Sequence, residues 1–283
     1  MDRHDESVGP VLIARKRSRD HELDVGARAH FEDPAYYAST YASRTDDVAY
    51  YVRVASRAPS VLEYGIGNGR VALPLARKGT RVTGIDHSRP MLADLRARLA
   101  EEPSDVRARV DARLGDMRRV RLKKRFPLVL CPFNTALHLY AREDVEAWLS
   151  RVREHLTPNG TLVFDVSMPE PKDLARDPEK AYRARPFVHP TAGRVKYEER
   201  FDYDRVRQIL FVTMTFSPEA RSRSGADEFM TPLAHRQFYP RELEALLHYN
   251  GFDVVRLHGD FDGGPLTNDS DVMIFHAKPR RKR

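Results

Sequence analysis

Hydrophobic positions along the chain follow two periods, and the alternation between them outlines the fold. Short strand-like runs stand at Val61 and Leu62, at Val82 to Ile85 (alternating), near Leu114 and at Leu162 to Val166, and a nearly continuous apolar one at Phe126 to Phe133. Runs of this kind are expected of parallel strands covered on both faces. Between them the spacing becomes helical: Val71, Leu73, Leu75 and Ala76 after the first run, Met91, Leu92 and Leu95 after the second, and Val145, Trp148, Leu149, Val152 and Leu156 on a helix from Glu143 to Leu156. A later helix, Arg241 to Tyr249, is stopped by Asn250 and Gly251 and followed by strands at Phe252 to Leu257 and Val272 to Ala277. Strands alternating with helices in this order predict an α/β fold with a doubly wound, mostly parallel sheet.

Two stretches depart from that rhythm. Residues 31 to 57 hold Phe31, Tyr36, Tyr37, Tyr41, Val48, Tyr50, Tyr51 and Val54 at near-helical spacing, which predicts a helix pair at the sheet edge. Val195 to Phe216 alternates with period two in two runs around Asp204, a hairpin pattern, and a third run from Leu233 to Tyr239 can pair with it. We read these runs as an inserted antiparallel sheet capping the carboxyl ends of the main strands. The expected organisation is a weakly held tail at 1–29, helices and a ligand-binding core at 30–192, the cap at 193–239, the last helix and two strands at 240–278, and a basic tail at 279–283.

Composition narrows the function. The single cysteine, Cys131, excludes an internal disulfide and any zinc site built on two cysteines, and the eleven histidines show no metal spacing. No metal is expected, and the reading is cytoplasmic, since no apolar segment is long enough for a signal core or a membrane span. Of the net charge of +7, five charges sit at Lys278 and Arg280 to Arg283. One internal basic cluster remains, Arg118 to Arg125, so nucleic-acid contact through it or the tail is a minor possibility.

The chemistry is carried by Val61-Leu62-Glu63-Tyr64-Gly65-Ile66-Gly67-Asn68-Gly69-Arg70. Glycines let a strand bend sharply into a helix and let a ligand approach the backbone. The spacing is not the Gly-x-Gly-x-x-Gly of dinucleotide sites. Asp86 ends the second strand nineteen residues beyond Gly67, where a carboxylate can accept from ribose hydroxyls or cap the next helix, which Ser88 and Pro90 also start. Asp116 and Met117 follow the third strand. Pro132, Phe133, Asn134 and His138 fall at or beyond the carboxyl end of the fourth, where open parallel sheets bind ligands.

Glu63-x-Gly65-x-Gly67-x-Gly69 resembles motif I of the class I S-adenosylmethionine (SAM) dependent methyltransferases, and the likeness runs from about Tyr37 to Val166. It implies a Rossmann-like, seven-stranded sheet whose last strand is antiparallel. It also implies SAM as cofactor, with S-adenosylhomocysteine as product, held by Tyr41, Glu63, Gly65, Gly67, Asn68, Gly69, Arg70, Asp86, His87, Met91, Asp116, Met117, Pro132 and Phe133. Tyr37-x-x-x-Tyr41 with Arg44 and Asp47 is similar to the entry segment of small-molecule N-methyltransferases acting on glycine and on amino sugars, which gives Tyr41 the role of a lid. Cys131-Pro132-Phe133-Asn134 matches neither the Asn/Asp-Pro-Pro-Tyr/Phe of nucleic-acid amino methyltransferases nor the Pro-Cys of cytosine carbon-5 enzymes.

Methyl transfer from a sulfonium asks the protein mainly to align the acceptor, exclude water and remove a proton. His138 is the candidate base, and Asn134, His138, Arg236 and Tyr239 are the candidate substrate residues. The expected function is transfer of a methyl group to nitrogen or oxygen of a small molecule, by an enzyme that could form a homodimer. An RNA methyltransferase and a non-catalytic SAM-binding scaffold are the alternatives.

Overall fold

The computed structural model describes residues 21–219 and 227–280. Its main sheet has seven strands: β1 (Ser60–Tyr64), β2 (Arg81–Asp86), β3 (Val110–Leu114), β4 (Phe126–Cys131), β5 (Leu156–Ser167), β11 (Phe252–His258) and β12 (Val272–Pro279). They lie in the order β11-β12-β5-β4-β1-β2-β3. β12 runs antiparallel to both neighbours, while β1 to β5 pair in parallel. Helices α1 (Pro34–Thr40) and α2 (Asp46–Ala55) precede β1, and α3 (Ala72–Arg77), α4 (Arg89–Ala100), α5 (Ser104–Arg107), α6 (Arg142–His155), α7 (Pro171–Leu174) and α8 (Pro240–Tyr249) complete the layers.

Strand alternation sorts the core onto two faces. Leu62, Phe164 and Phe275 join Trp148 of α6 on one side, whereas their chain neighbours Val61, Val163 and Ile274 join Tyr51 of α2 and Leu75 of α3 on the other. All of β1 is buried, including Glu63. Because the chain passes from β1 outward to β3 and then returns to β4 beside β1, the direction of winding reverses at the β1/β4 boundary, and a crevice opens at their carboxyl ends.

A second, five-stranded antiparallel sheet contains β6 (Tyr182–Arg183), β7 (Phe187–His189), β8 (Gly193–Asp204), β9 (Ile209–Pro218) and β10 (Phe229–Arg236). The β8–β9 hairpin turns where Asp204 accepts from the N–H groups of Val206 and Arg207. The sheet starts upstream of residue 193, since β6 and β7 both pair with β8, and these strands are too short to carry a periodic pattern in the sequence. β10 ends at Arg236 and leads directly into α8, so Gln237, Phe238 and Tyr239 are a connection rather than strand.

The amino-terminal expectation also changes. Residues 1–20 lie outside the described residues, but residues 21–26 are helical, and Leu23 is buried against Ile209 and Ala234 of the small sheet. Gly26 permits this approach, since a Cβ there would lie 2.8 Å from that of Ala234. One leucine among charges gives no amphipathic signal, and its partners are remote in sequence. At the other end, Arg280 pairs with Asp253, while residues 281–283 lie outside the described residues.

Candidate cofactor and substrate site

The glycine loop is constrained by both backbone and space. Gly65, Gly67 and Gly69 have φ of 71°, 53° and 84°, a region that side-chain-bearing residues avoid. A Cβ on Gly65 would come within 2.4 Å of Thr135, and one on Gly69 within 2.5 Å of Leu95. Met91 packs under the loop at Gly67, and Asn68 donates to Asp94 at 3.2 Å. The Gly67 N–H donates to Asp86 at 2.7 Å, and the Ser88 N–H donates to the same carboxylate at 2.8 Å. Ser88 itself caps α4, so Asp86 is not the helix cap but the tie between the loop and the end of β2. Burial raises the Asp86 carboxyl above its ordinary value, opposed by these two N–H bonds and by His87.

Glu63 is the outlier of the region. It is 2% exposed, and its Oε2 has no hydrogen-bond partner. Burial, reinforced by the nearby Asp86 charge, pushes its carboxyl well above the usual range. A buried oxygen without a donor is costly, on the order of 1–3 kcal/mol. At the mouth of a glycine loop, such an atom fits a ligand that brings an ammonium or hydroxyl donor.

The other wall is the segment after β4. Phe133 and Asn134 both take left-handed backbone angles, φ 56° and 61°, and strain of this kind persists only where the surroundings impose it. Here the Phe133 N–H donates to Asp165 at 2.8 Å, and Asn134 accepts from the Ser167 N–H at 2.7 Å while its amide donates to the Ser167 hydroxyl. Asp165 is buried on β5 and also accepts from the Tyr51 hydroxyl at 2.5 Å; burial raises its carboxyl to about 6. Pro132 holds Thr135 through its carbonyl. Arg70 lies 4.6 Å from the centre of the Phe133 ring and is bound to Asp47 and to the Arg44 carbonyl. Tyr41 packs edge-on against Phe133, and its hydroxyl meets His30 Nε2 at 2.9 Å.

Two cavities flank this segment. One, about 790 Å³, is lined by Phe133, Asn134, Asp165 and Ser167, by Arg44, Asp46 and Asp47, and by the acidic loop before β12 that carries Asp260, Asp262, Asp269 and Asp271. The other, about 770 Å³, is lined by Gly65, Asp86, His87, Asp116, Met117, Thr135, His138 and Tyr140 under the residues 24–32. Both volumes are typical of small-ligand sites.

The residues expected from the sequence therefore divide. Gly65, Asp86, His87, Asp116, Met117 and His138 share the second cavity, whereas Phe133 and Asn134 face the first. Arg236 lines neither, and its guanidinium is held by Glu242 at 2.6 Å and by the Gln237 carbonyl. Tyr239 is also outside both, 43% exposed at the start of α8. Sequence reading missed Asp165 and His30. An acid inside an apolar strand signals the first, but no local signal marks the second. The basic cluster is mostly spent on intramolecular contacts: Arg118 pairs with Asp116 and Asp144, Arg121 with Glu154, and Arg125 donates to the Leu156 carbonyl. Among the described residues there is no cluster that could hold a metal ion and no helix long and apolar enough to cross a membrane.

A doubly wound sheet with this strand order and a glycine loop facing an acid at the end of β2 is the architecture of the Rossmann-like methyltransferase fold. Comparison with known proteins agrees. Residues 61–160 match the family described as "Methyltransferase domain". The chain is 29% identical over 216 residues to a cypemycin N-terminal methyltransferase of Streptomyces sp, covering 76% of this chain and 81% of that protein. Its fold superposes on the CcbJ methyltransferase of Streptomyces caelestis with a TM-score of 0.72 at 25% identity, over 87% of this chain and 97% of the other. The glycopeptide N-methyltransferase MtfA in complex with S-adenosylhomocysteine gives 0.57 at 26% identity, over 83% and 87%. Amino-sugar N,N-dimethyltransferases are matched over about half their length. The domain match, the named methyltransferase relatives and the SAM- and S-adenosylhomocysteine-bound neighbours together support a class I SAM-dependent enzyme with SAM as cofactor.

Proposed function

We propose that the second cavity takes the nucleoside of SAM, with Asp86 at the ribose and Asp116 and Met117 at the adenine, and that the Glu63–Gly69 loop takes its amino-acid end. The observation that carries this reading is the unpartnered, buried Oε2 of Glu63 beside a glycine loop already tied to Asp86. An ammonium there would supply the missing donor. The cofactor supplies a methyl carbon already activated by a sulfonium, so the residues of this chain have only to bind, orient and deprotonate.

The methyl acceptor in this reading is a nitrogen or oxygen of a small molecule. The names of the relatives favour nitrogen, and in this reading the acceptor enters the second cavity beside the cofactor, at its His138 and Tyr140 end. His138 serves as proton acceptor: burial, with the neighbouring His235, holds its imidazole well below the usual histidine range, so it is a free base at neutral pH. Tyr41, oriented by His30, closes over the reacting end, and Arg70 and Asp47 fix the Phe133 wall. Arg236 is left out of this site, since its charge is already paired.

Tritiated-methyl transfer from SAM to small-metabolite pools and to total RNA tests the reading. Label in the metabolite pool and not in RNA is the expected result. Label confined to RNA would overturn it, and SAM binding with no transfer to any pool would make the protein a scaffold.

A further inference from the structure

Tyr140 stands between His138 and the small sheet, and its one proton decides the state of both contacts. The hydroxyl donates to the Ala234 carbonyl at 3.0 Å, an acceptor that has no proton to return. His138 Nδ1 lies 3.1 Å from the same phenolic oxygen. With its hydrogen committed to Ala234, that oxygen can only accept from the ring, so Nδ1 must carry the imidazole proton and Nε2 must carry a lone pair. This is the reverse of the tautomer that a free neutral imidazole prefers.

The surroundings hold the ring in that state. Tyr140 and Ala234 are 94 residues apart, so the bond exists only when β10 is seated against the turn after β4. His235, the next residue of β10, packs edge-on against His138 with ring centres 5.1 Å apart, and Phe31 does so at 5.5 Å. His138 lines the second cavity, and with Nδ1 taken, Nε2 is the nitrogen left for a ligand.

We propose that Tyr140 and the Ala234 carbonyl fix His138 as the Nδ1–H tautomer, making Nε2 the acceptor for the N–H or O–H proton of the methyl acceptor. Tyr140 is thus a positioning residue, and the small sheet sets the base as well as covering it. The inference rests on the reading of His138 as proton acceptor. In the step it serves, the lone pair of the nucleophile forms the bond to the methyl carbon, the carbon–sulfur pair stays on sulfur, and the nucleophile's proton passes to Nε2. The imidazolium so formed keeps its Nδ1–H bond to Tyr140, and no hydrogen bond has to be remade.

The test is a long-range proton–nitrogen correlation spectrum of the full chain labelled with ¹⁵N-histidine, with the His138 signals identified by their loss in His138→Gln. A pyrrole-type Nδ1 and a pyridine-type Nε2 are expected, favoured about tenfold or more over the other tautomer by the buried hydrogen bond. A pyrrole-type Nε2 in the unaltered protein would overturn the proposal without recourse to any variant. Tyr140→Phe should move His138 toward the Nε2–H form, and an unchanged spectrum would remove Tyr140 from the role. His138→Ala with undiminished methyl transfer would overturn the acceptor role while leaving the tautomer assignment intact, so the two failures are distinguishable.

Discussion

The two sides of the site are held together by contacts of different range. On the loop side the partners are close in sequence: Gly67 with Asp86 is a separation of 19, and Arg70 with Asp47 one of 23. On the other side they are remote: Tyr51 reaches Asp165 across 114 residues, and the Tyr50 hydroxyl reaches His276 across 226. The local side forms wherever a strand, a glycine turn and a helix form. The remote side requires α2, β4, β5, β12 and the small sheet to dock together. A common chemistry, built locally, is thereby joined to an acceptor pocket that depends on the whole fold.

Substitutions on each side should separate the two. The largest effect is expected at Asp165. Its carboxyl is raised to about 6 in the fold, against an ordinary value of 3.8, so between those limits the folded protein holds a proton that the unfolded chain has lost. Stability must then fall as pH rises from about 4 to about 6 and level off above. Asp165→Asn keeps an acceptor for Tyr51 and Phe133 without titrating, so the stability of the unaltered protein relative to the variant should drop by on the order of 3 kcal/mol between pH 4 and pH 7. Chemical denaturation at several pH values measures this, and a gap independent of pH would show that Asp165 is not held as described.

On the loop side, Asp86→Ala should weaken SAM binding about 100-fold, the loss of two hydrogen bonds to a charged group, while the sheet stays folded by circular dichroism. Unchanged affinity would take Asp86 out of the cofactor site. A smaller change is expected from Glu63→Gln, roughly tenfold in SAM affinity, because the amide still presents an oxygen but no charge. The same variant should melt at a higher temperature without cofactor, since it removes the cost of a buried carboxylate. A lower melting temperature together with unaltered affinity would make Glu63 an ordinary core residue.

The contrast in range also explains what the sequence disclosed. The strand–helix alternation, the glycine loop and Asp86 each declare themselves within about twenty residues, and the seven-stranded sheet with an antiparallel last strand is what the family resemblance they carry implies. β6 and β7 did not, because two- and three-residue strands have no period, and their pairing with β8 is decided by β8. Leu23 was unreadable because its neighbours, Ile209 and Ala234, lie on the small sheet, about two hundred residues away in sequence. Arg236 carried the right chemistry for an acidic substrate, but Glu242, six residues on, reaches it first. His138 was legible as a candidate, whereas its partner Tyr140 became meaningful only once the Ala234 carbonyl was beside it. Residue types can be read locally, but the allocation of each hydrogen bond cannot.

Titration calorimetry of the full chain with SAM is the most direct test of the central claim, that the Glu63–Gly69 loop and Asp86 form a cofactor site. Saturable binding of one SAM per chain, lost or weakened about 100-fold in Asp86→Ala, is the predicted result. No heat and no saturation in the unaltered protein would contradict the account.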